Sequence, residues 1–158
     1  MVSITPAGPC YQLYSTEFYA MIKAKLNPGG IFVTQSGAAG IKQHHLVWSP
    51  VYSTLKTVFP TVHAYNQAVY SFLDEWGFNI AFTEEGAAPL SPEEVDRRIA
   101  ERVTGEMQFL DGQSYQGLFC LSKRHRKTLK EETRVLSMEK GTFSFMHNQG
   151  MCVAEGKK

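Results

Sequence analysis

The chain has 158 residues, 43% of them hydrophobic, 12% aromatic and 20% charged, and its formal net charge is +1. That length fits one domain with a real core, and the aromatic content excludes a disordered chain. No run approaches the roughly 20 apolar residues of a membrane span, and a near-neutral balance gives no global pull toward nucleic acid or anionic membrane. Met1–Pro6 lacks the basic and apolar regions of a signal peptide. Cys10, Cys120 and Cys152 are scattered, with no CxxC pair and no zinc-ligand spacing. They read as reduced thiols of a cytoplasmic protein, and no metal site is expected.

Ser15-Thr16-Glu17 marks a helix start, a hydroxyl that can cap free amides followed by an acid at the positive end of the dipole. Phe18, Ile22 and Leu26, with Met21 beside them, make an apolar stripe; Lys23 and Lys25 fill the last turn, and Asn27-Pro28-Gly29-Gly30 stops the helix. Ile31–Gln35 reads as a buried strand, with Ser36–Gly40 a loop of small residues at its carboxyl end. A second helix spans about His45 to Phe59. Pro50 predicts either a kink or a start near Ser49, because an interior proline costs about 3 kcal/mol and a first-turn proline does not.

Thr61–Tyr65 and Trp76–Phe82 read as strands, joined by a loop over Asn66–Glu75. Ser91-Pro92-Glu93-Glu94 opens the next helix: serine caps, proline takes the first position, and Glu94 completes a capping box. Val95, Ile99 and Val103 form its expected buried stripe. Met107–Leu110 reads as a short strand, and Ser122 caps a last helix reaching about Val135. From Ser137 onward no periodicity is visible, so a frayed tail is expected. Helix, strand, helix, strand, strand and then helices is the order of the second half of an α/β sheet.

Several side chains invite chemistry, each beside a plainer reading. Gly8-Pro9 ahead of Tyr11-Gln12-Leu13-Tyr14 is either a turn against a ligand ring or a helix entry. His44 and His45 are adjacent, so they cannot share one helical face as metal ligands. They read as surface groups, and His63, His125 and His147 show no partner pattern either. The basic run Lys123–Lys127, with Lys130, fits a nucleic-acid or import segment; its interleaving with Leu121 and Leu129 fits a solvated helix face better. Gln35 ends a strand at the carboxyl edge, where open α/β sheets bind ligands, so its side chain must pair internally or face a pocket. Asp74 and Glu75 stand near Tyr70, Phe72 and Trp76, a set that suits an organic polycation by charge pairing and cation–π contact, or else a capped loop of packed aromatics.

These residues, in combination, resemble the polyamine synthases (aminopropyltransferases), and the thermospermine-forming members most. The segments that carry the likeness are Gly8–Tyr14, Phe18-Tyr19, Lys25–Gln35, Val51–Lys56, Val58-Phe59, Ser71–Gly77 and Val95–Ile99, across roughly residues 8–135. The resemblance implies the carboxyl-terminal half of a Rossmann-like class I methyltransferase fold, an incomplete α/β sheet. It would supply strands five, six and seven, the seventh antiparallel and inserted between the other two. Residues 1–136 would form a partial polyamine synthase (PABS) domain, and 137–158 a flexible tail.

The implied activity is aminopropyl transfer from decarboxylated S-adenosylmethionine, a co-substrate rather than a tightly bound cofactor, to putrescine or spermidine. The resemblance implies that Gly8 and Pro9 contact the adenosyl moiety, that Gln35 lies near the amine substrate, that Phe72 replaces a polyamine-contacting tyrosine, and that Asp74 is an acid for the acceptor. It also implies a homo-oligomer. The family's D-x-x-D-P segment departs here: its second acid falls at Ser3 and its first precedes Met1, so no catalytic acid is expected within the chain. The glycine-rich half that holds the donor is likewise upstream. The expectation is a fragment inactive by itself. The alternatives are a non-catalytic chain that associates with a complete synthase, and an interaction module built on the basic helix.

Overall fold

Ser15 does cap the first helix. Its hydroxyl accepts from the Phe18 N–H at 3.2 Å, and helix α1 runs Thr16–Lys25. The computed structural model describes residues 9–138, 144–147 and 150–153. A 3₁₀ turn, Pro9–Tyr14, leads into α1. The fully buried residue of α1 is Tyr19, while Met21 is exposed, so the expected stripe is rotated toward Tyr19. Lys23 reaches across to donate to the Val58 carbonyl at 2.6 Å, a cation satisfying the carboxyl end of the next helix.

Strand β1 spans Ile31–Ala38, helix α2 Trp48–Val58, strand β2 Thr61–Val69 and strand β3 Asp74–Phe82. The sheet order is β1-β3-β2, with β3 antiparallel to both neighbours. Ile31 faces Phe82 and Gln35 faces Phe78 on one side; Thr61 faces Phe82 and Val69 faces Asp74 on the other. This is the inserted-strand topology expected of the last three strands of the fold. Among the described residues the outer edge of β1 pairs with no strand.

Pro50 sits in the first turn of α2, where its missing N–H costs nothing, and the helix is unbroken from Trp48. Trp48, Val51 and Leu55 are fully buried against the sheet. The indole of Trp48 lies directly on Gly77, where a Cβ would come within 2.6 Å of the ring, and its Nε1–H donates to the Phe78 carbonyl at 3.2 Å. Gly77, Asn79 and Ala81 are the buried face of β3, and small residues there let α2 approach closely. Asn79 donates across to the Ser36 hydroxyl at 2.8 Å, satisfying part of a fully buried amide.

Three expected boundaries move. β1 continues through Ser36–Ala38 by way of an irregularity between Gln35 and Ala38, so the small-residue loop shrinks to its last residues. The β2–β3 connection is not a loop from Asn66 to Glu75; both strands extend, leaving only Tyr70–Leu73 to turn. β1 is not a buried strand either, for Ile31 is 52% and Val33 48% exposed. Alternation, with one face covered, describes it better.

Helix α3 (Pro92–Arg102) starts at Ser91 as expected, with Ser91 Oγ accepting from Glu94 N–H. The Glu94 carboxylate does not close the box. It pairs with Arg97 and Arg98 at 2.7 and 2.6 Å, which hold it at about 2. Val95 is buried but Val103 is exposed, because the helix ends at Arg102. Met107–Leu110 forms no strand, and Phe109 is almost wholly exposed. The next element is helix α4, Gly112–Leu118, opened by a reciprocal capping box between Asp111 and Ser114. Ser122 caps α5, Lys123–Glu131, which stops short of Val135.

After α5 the chain returns to the core. Glu132 accepts from Ser49 Oγ at 2.7 Å and pairs with Arg134 at 2.6 Å. Burial pushes its carboxyl up, but the hydrogen bonds from Arg134 and Ser49 outweigh that and hold it at about 2. Leu136 N–H donates to Thr54 Oγ1, and Leu136 O accepts from Thr16 N–H. Within the stretch expected as a tail, β4 (Ser144–His147) and β5 (Gly150–Val153) pair antiparallel.

Candidate functional site

Strand register brings the predicted residues together. Gln35 lies opposite Phe78 on β3, and Trp76, two residues earlier, projects on the same face. The Trp76 Nε1–H donates to Gln35 Oε1 at 3.3 Å. The Phe72 ring, in the short turn that joins β2 to β3, lies 4.4 Å from the Trp76 ring, centroid to centroid, tilted by 44°. Leu73 completes the turn with φ 55, the left-handed conformation that reverses the chain tightly enough to lay Phe72 on Trp76.

Asp74 opens β3, half-buried, its Oδ1 accepting from the Glu75 N–H at 2.8 Å. Gly40 packs against it so closely that a Cβ would lie 2.4 Å from Oδ1. Glu75 projects from the opposite face of β3, where Asn66 Nδ2 donates to Oε2 at 3.2 Å. The Glu75 carbonyl accepts from the Ala39 N–H at 2.8 Å, tying the end of β1 to the start of β3. One carboxylate, Asp74, and two tilted rings thus share the face of the sheet that carries Gln35. With the Gln35 oxygen engaged by the indole, the Asp74 carboxylate is the strongest acceptor left for an ammonium group, and the rings offer π faces to the same charge.

Gln35, Phe72, Asp74 and Trp76 therefore converge. Tyr70 does not join them and stands 88% exposed. Gly8 and Ser3 lie outside the described residues, and Pro9 begins the 3₁₀ turn ahead of α1. Cys120 is free and exposed. Among the described residues no group of His, Cys, Asp or Glu side chains has metal-site geometry, and no helix is long and apolar enough to cross a membrane.

His44, expected on the surface, is not there, and His125 joins it in the interior. His44 and His125 are buried, at 1% and 4% exposure, with ring centroids 4.8 Å apart. His44 bridges the Gly40 carbonyl at 3.3 Å and Thr128 Oγ1 at 3.0 Å, so it fastens the loop behind Asp74 to α5. Burial pushes both imidazoles below their ordinary range. Adjacency to His45 hid this, because only His45 of the two is exposed. Gly40 was also missed; five small residues in a row, Ser36–Gly40, gave no sign of which one meets a carboxylate.

The sequence matches the spermine/spermidine synthase domain over residues 1–91. It is 44% identical over 145 residues to a thermospermine synthase of Arabidopsis thaliana, covering 91% of this chain and 42% of that protein. A polyamine aminopropyltransferase of Sulfolobus acidocaldarius is 37% identical over 132 residues, covering 84% of this chain and 43% of its own length. The chain thus spans less than half the length of these relatives. Among solved structures, a spermidine synthase in complex with the transition-state analogue AdoDATO superposes with a TM-score of 0.66 at 20% identity, over 82% of this chain and 43% of that one. The spermidine synthase from Thermotoga maritima gives 0.63 at 20% identity, over 79% and 41%. Sequence match, inserted-strand topology and shared architecture agree: the chain belongs to the spermine/spermidine synthase domain family.

Proposed function

We propose that this chain carries the amine-acceptor side of an aminopropyltransferase site. The observation that supports this most is the convergence of Gln35, Phe72, Asp74 and Trp76 at the carboxyl end of β1. A polyamine is a flexible chain of ammonium groups separated by methylenes. Rings that take cation and methylene alike, with a carboxylate on the same face, match that chemistry.

The reaction is a displacement. The lone pair of a neutral amine attacks the propyl carbon attached to the sulfonium of decarboxylated S-adenosylmethionine, a C–N bond forms, the C–S bond breaks, and methylthioadenosine leaves. The new ammonium then gives up a proton. In this reading Asp74 holds a distal cation of the acceptor, while Gln35, its oxygen fixed by Trp76, directs its amide toward the reacting end. Gly8 and Pro9 are assigned to the adenosyl moiety of the donor. The chain spans less than half the length of its relatives, so the remaining donor contacts and the proton acceptor are assigned to residues outside these 158, which by themselves are expected to turn over no substrate.

The test has two arms. Given decarboxylated S-adenosylmethionine and either putrescine or spermidine, the chain alone should release no detectable methylthioadenosine; proton transfer typically contributes about 10²–10⁴-fold, and lost positioning removes more. Fused behind the upstream half of a complete relative, it should become active. Gln35→Ala in that fusion should then lower kcat/KM for the polyamine by roughly tenfold, about 1.4 kcal/mol, and leave the donor KM unchanged. Polyamine-dependent release by the chain alone, or a fusion indifferent to Gln35, would overturn the assignment.

A further inference from the structure

A cavity of about 370 Å³ opens between α2, β2 and α5, and it shares no residue with the cluster around Gln35. Tyr52 and Phe119 give it aromatic walls, and the buried side chains of Leu121 and Leu129 contribute an apolar floor. Three cations border it: Lys56 from α2, and Arg126 and Lys130 from α5. None of the lining side chains is acidic. The volume falls within the range of small-ligand sites, and the open hollow is lined about equally by polar and apolar groups.

The charges of α5 are arranged unevenly. On one side Lys127 stands by Glu131, a favourable pair one turn apart. On the cavity side Arg126 and Lys130 repeat the same spacing with like charges, which destabilises a helix unless an anion lies between them. The carboxylate next along the chain, Glu132, is taken by Arg134 and Ser49. Arg126 donates through one terminal nitrogen to the Leu121 carbonyl, so its guanidinium is oriented. The Lys56 ammonium lies 5.4 Å over the Tyr52 ring.

We propose that this cavity binds a small organic phosphate, a dianionic head held by Lys56, Arg126 and Lys130 with a flat apolar body between Tyr52 and Phe119. Three converging cations favour a dianion over a carboxylate, and two ring walls over an apolar floor favour an aromatic body.

Equilibrium dialysis of the full chain against phenyl phosphate tests this. One molecule should bind per chain, roughly tenfold tighter than inorganic phosphate, because only the aryl ester fills the cavity. Lys56→Gln and Lys130→Gln replace exposed side chains, so the fold should survive while affinity drops several-fold. Lys127→Gln, on the other side of α5, should change nothing. Equal affinity for phenyl and inorganic phosphate, no saturable uptake, or equal effects of all three substitutions would each overturn the proposal. No transfer step enters the measurement, so its outcome is independent of the polyamine assignment.

Discussion

The two faces of the three-stranded sheet differ sharply. Against α1 and α2, Val62, Ala64 and Ala81 pack with Trp48, Val51 and Leu55, nearly or fully out of solvent. On the other face Tyr65 stacks on Phe78 at 5.2 Å under Phe119, but over β1 the cover ends, and Ile31 and Val33 stand about half exposed. The closed face has small residues on the strand and large ones on the helix, so its burial is specified from both sides. On the open face the large apolar groups of β1 stand half in solvent. One face holds the fold; the other carries Gln35 and Trp76, where a ligand can reach.

Breaking the closed face should cost most. Trp48→Ala removes a fully buried ring that fills the space over Gly77, and a loss of about 3–5 kcal/mol is expected in urea unfolding. A loss under about 1 kcal/mol would mean that α2 is not the keystone described here.

The return segment sharpens the contrast next, since Glu132 fastens it behind α2. Its folded carboxyl sits at about 2, below the ordinary value of 4.5, so its contribution is present above pH 4.5 and is lost as pH falls from there toward 2. Discounted for solvent at the half-exposed arginine, that contribution is about 1–2 kcal/mol. Glu132→Gln should lower stability at pH 7 by this amount and flatten the acid limb between those pH values. A variant with an unchanged acid limb would show the pair to be inert.

The open face should respond least in stability. Val33→Lys is expected to shift unfolding by no more than about 0.5 kcal/mol. It should also reduce self-association by light scattering, since the bare edge and apolar face of β1 invite pairing between copies. A large loss of stability would mean that Val33 is covered after all.

Much of this was legible in the chain. Ser15, Ser91 and Ser122 each mark a helix start because one hydroxyl meets an amide three residues on, a purely local event. The strands were legible in type but not in length: Asn66–Ala68 and Asp74-Glu75 are polar or small, and only the β2–β3 pairing makes them strand. Helix α4 was invisible because two glycines in seven residues deny it propensity, and Asp111 with Ser114 sets it instead. Gln35 and Asp74 could be nominated, but their meeting needed the β1–β3 register and the turn at Leu73. His44 and His125, 81 positions apart in sequence, carried no local sign of burial.

If ligand binding belongs to the open face and fold maintenance to the closed one, the molecule has a reporter on each. Its two tryptophans give two indole N–H resonances: Trp76, bonded to Gln35 on the open face, and Trp48, bonded to the Phe78 carbonyl beneath the sheet. In a spermidine titration followed by ¹H–¹⁵N spectra, the Trp76 indole resonance should shift saturably while that of Trp48 stays in place, and Asp74→Asn should weaken the response. If both resonances stay still, or both move together, the account of the site is wrong.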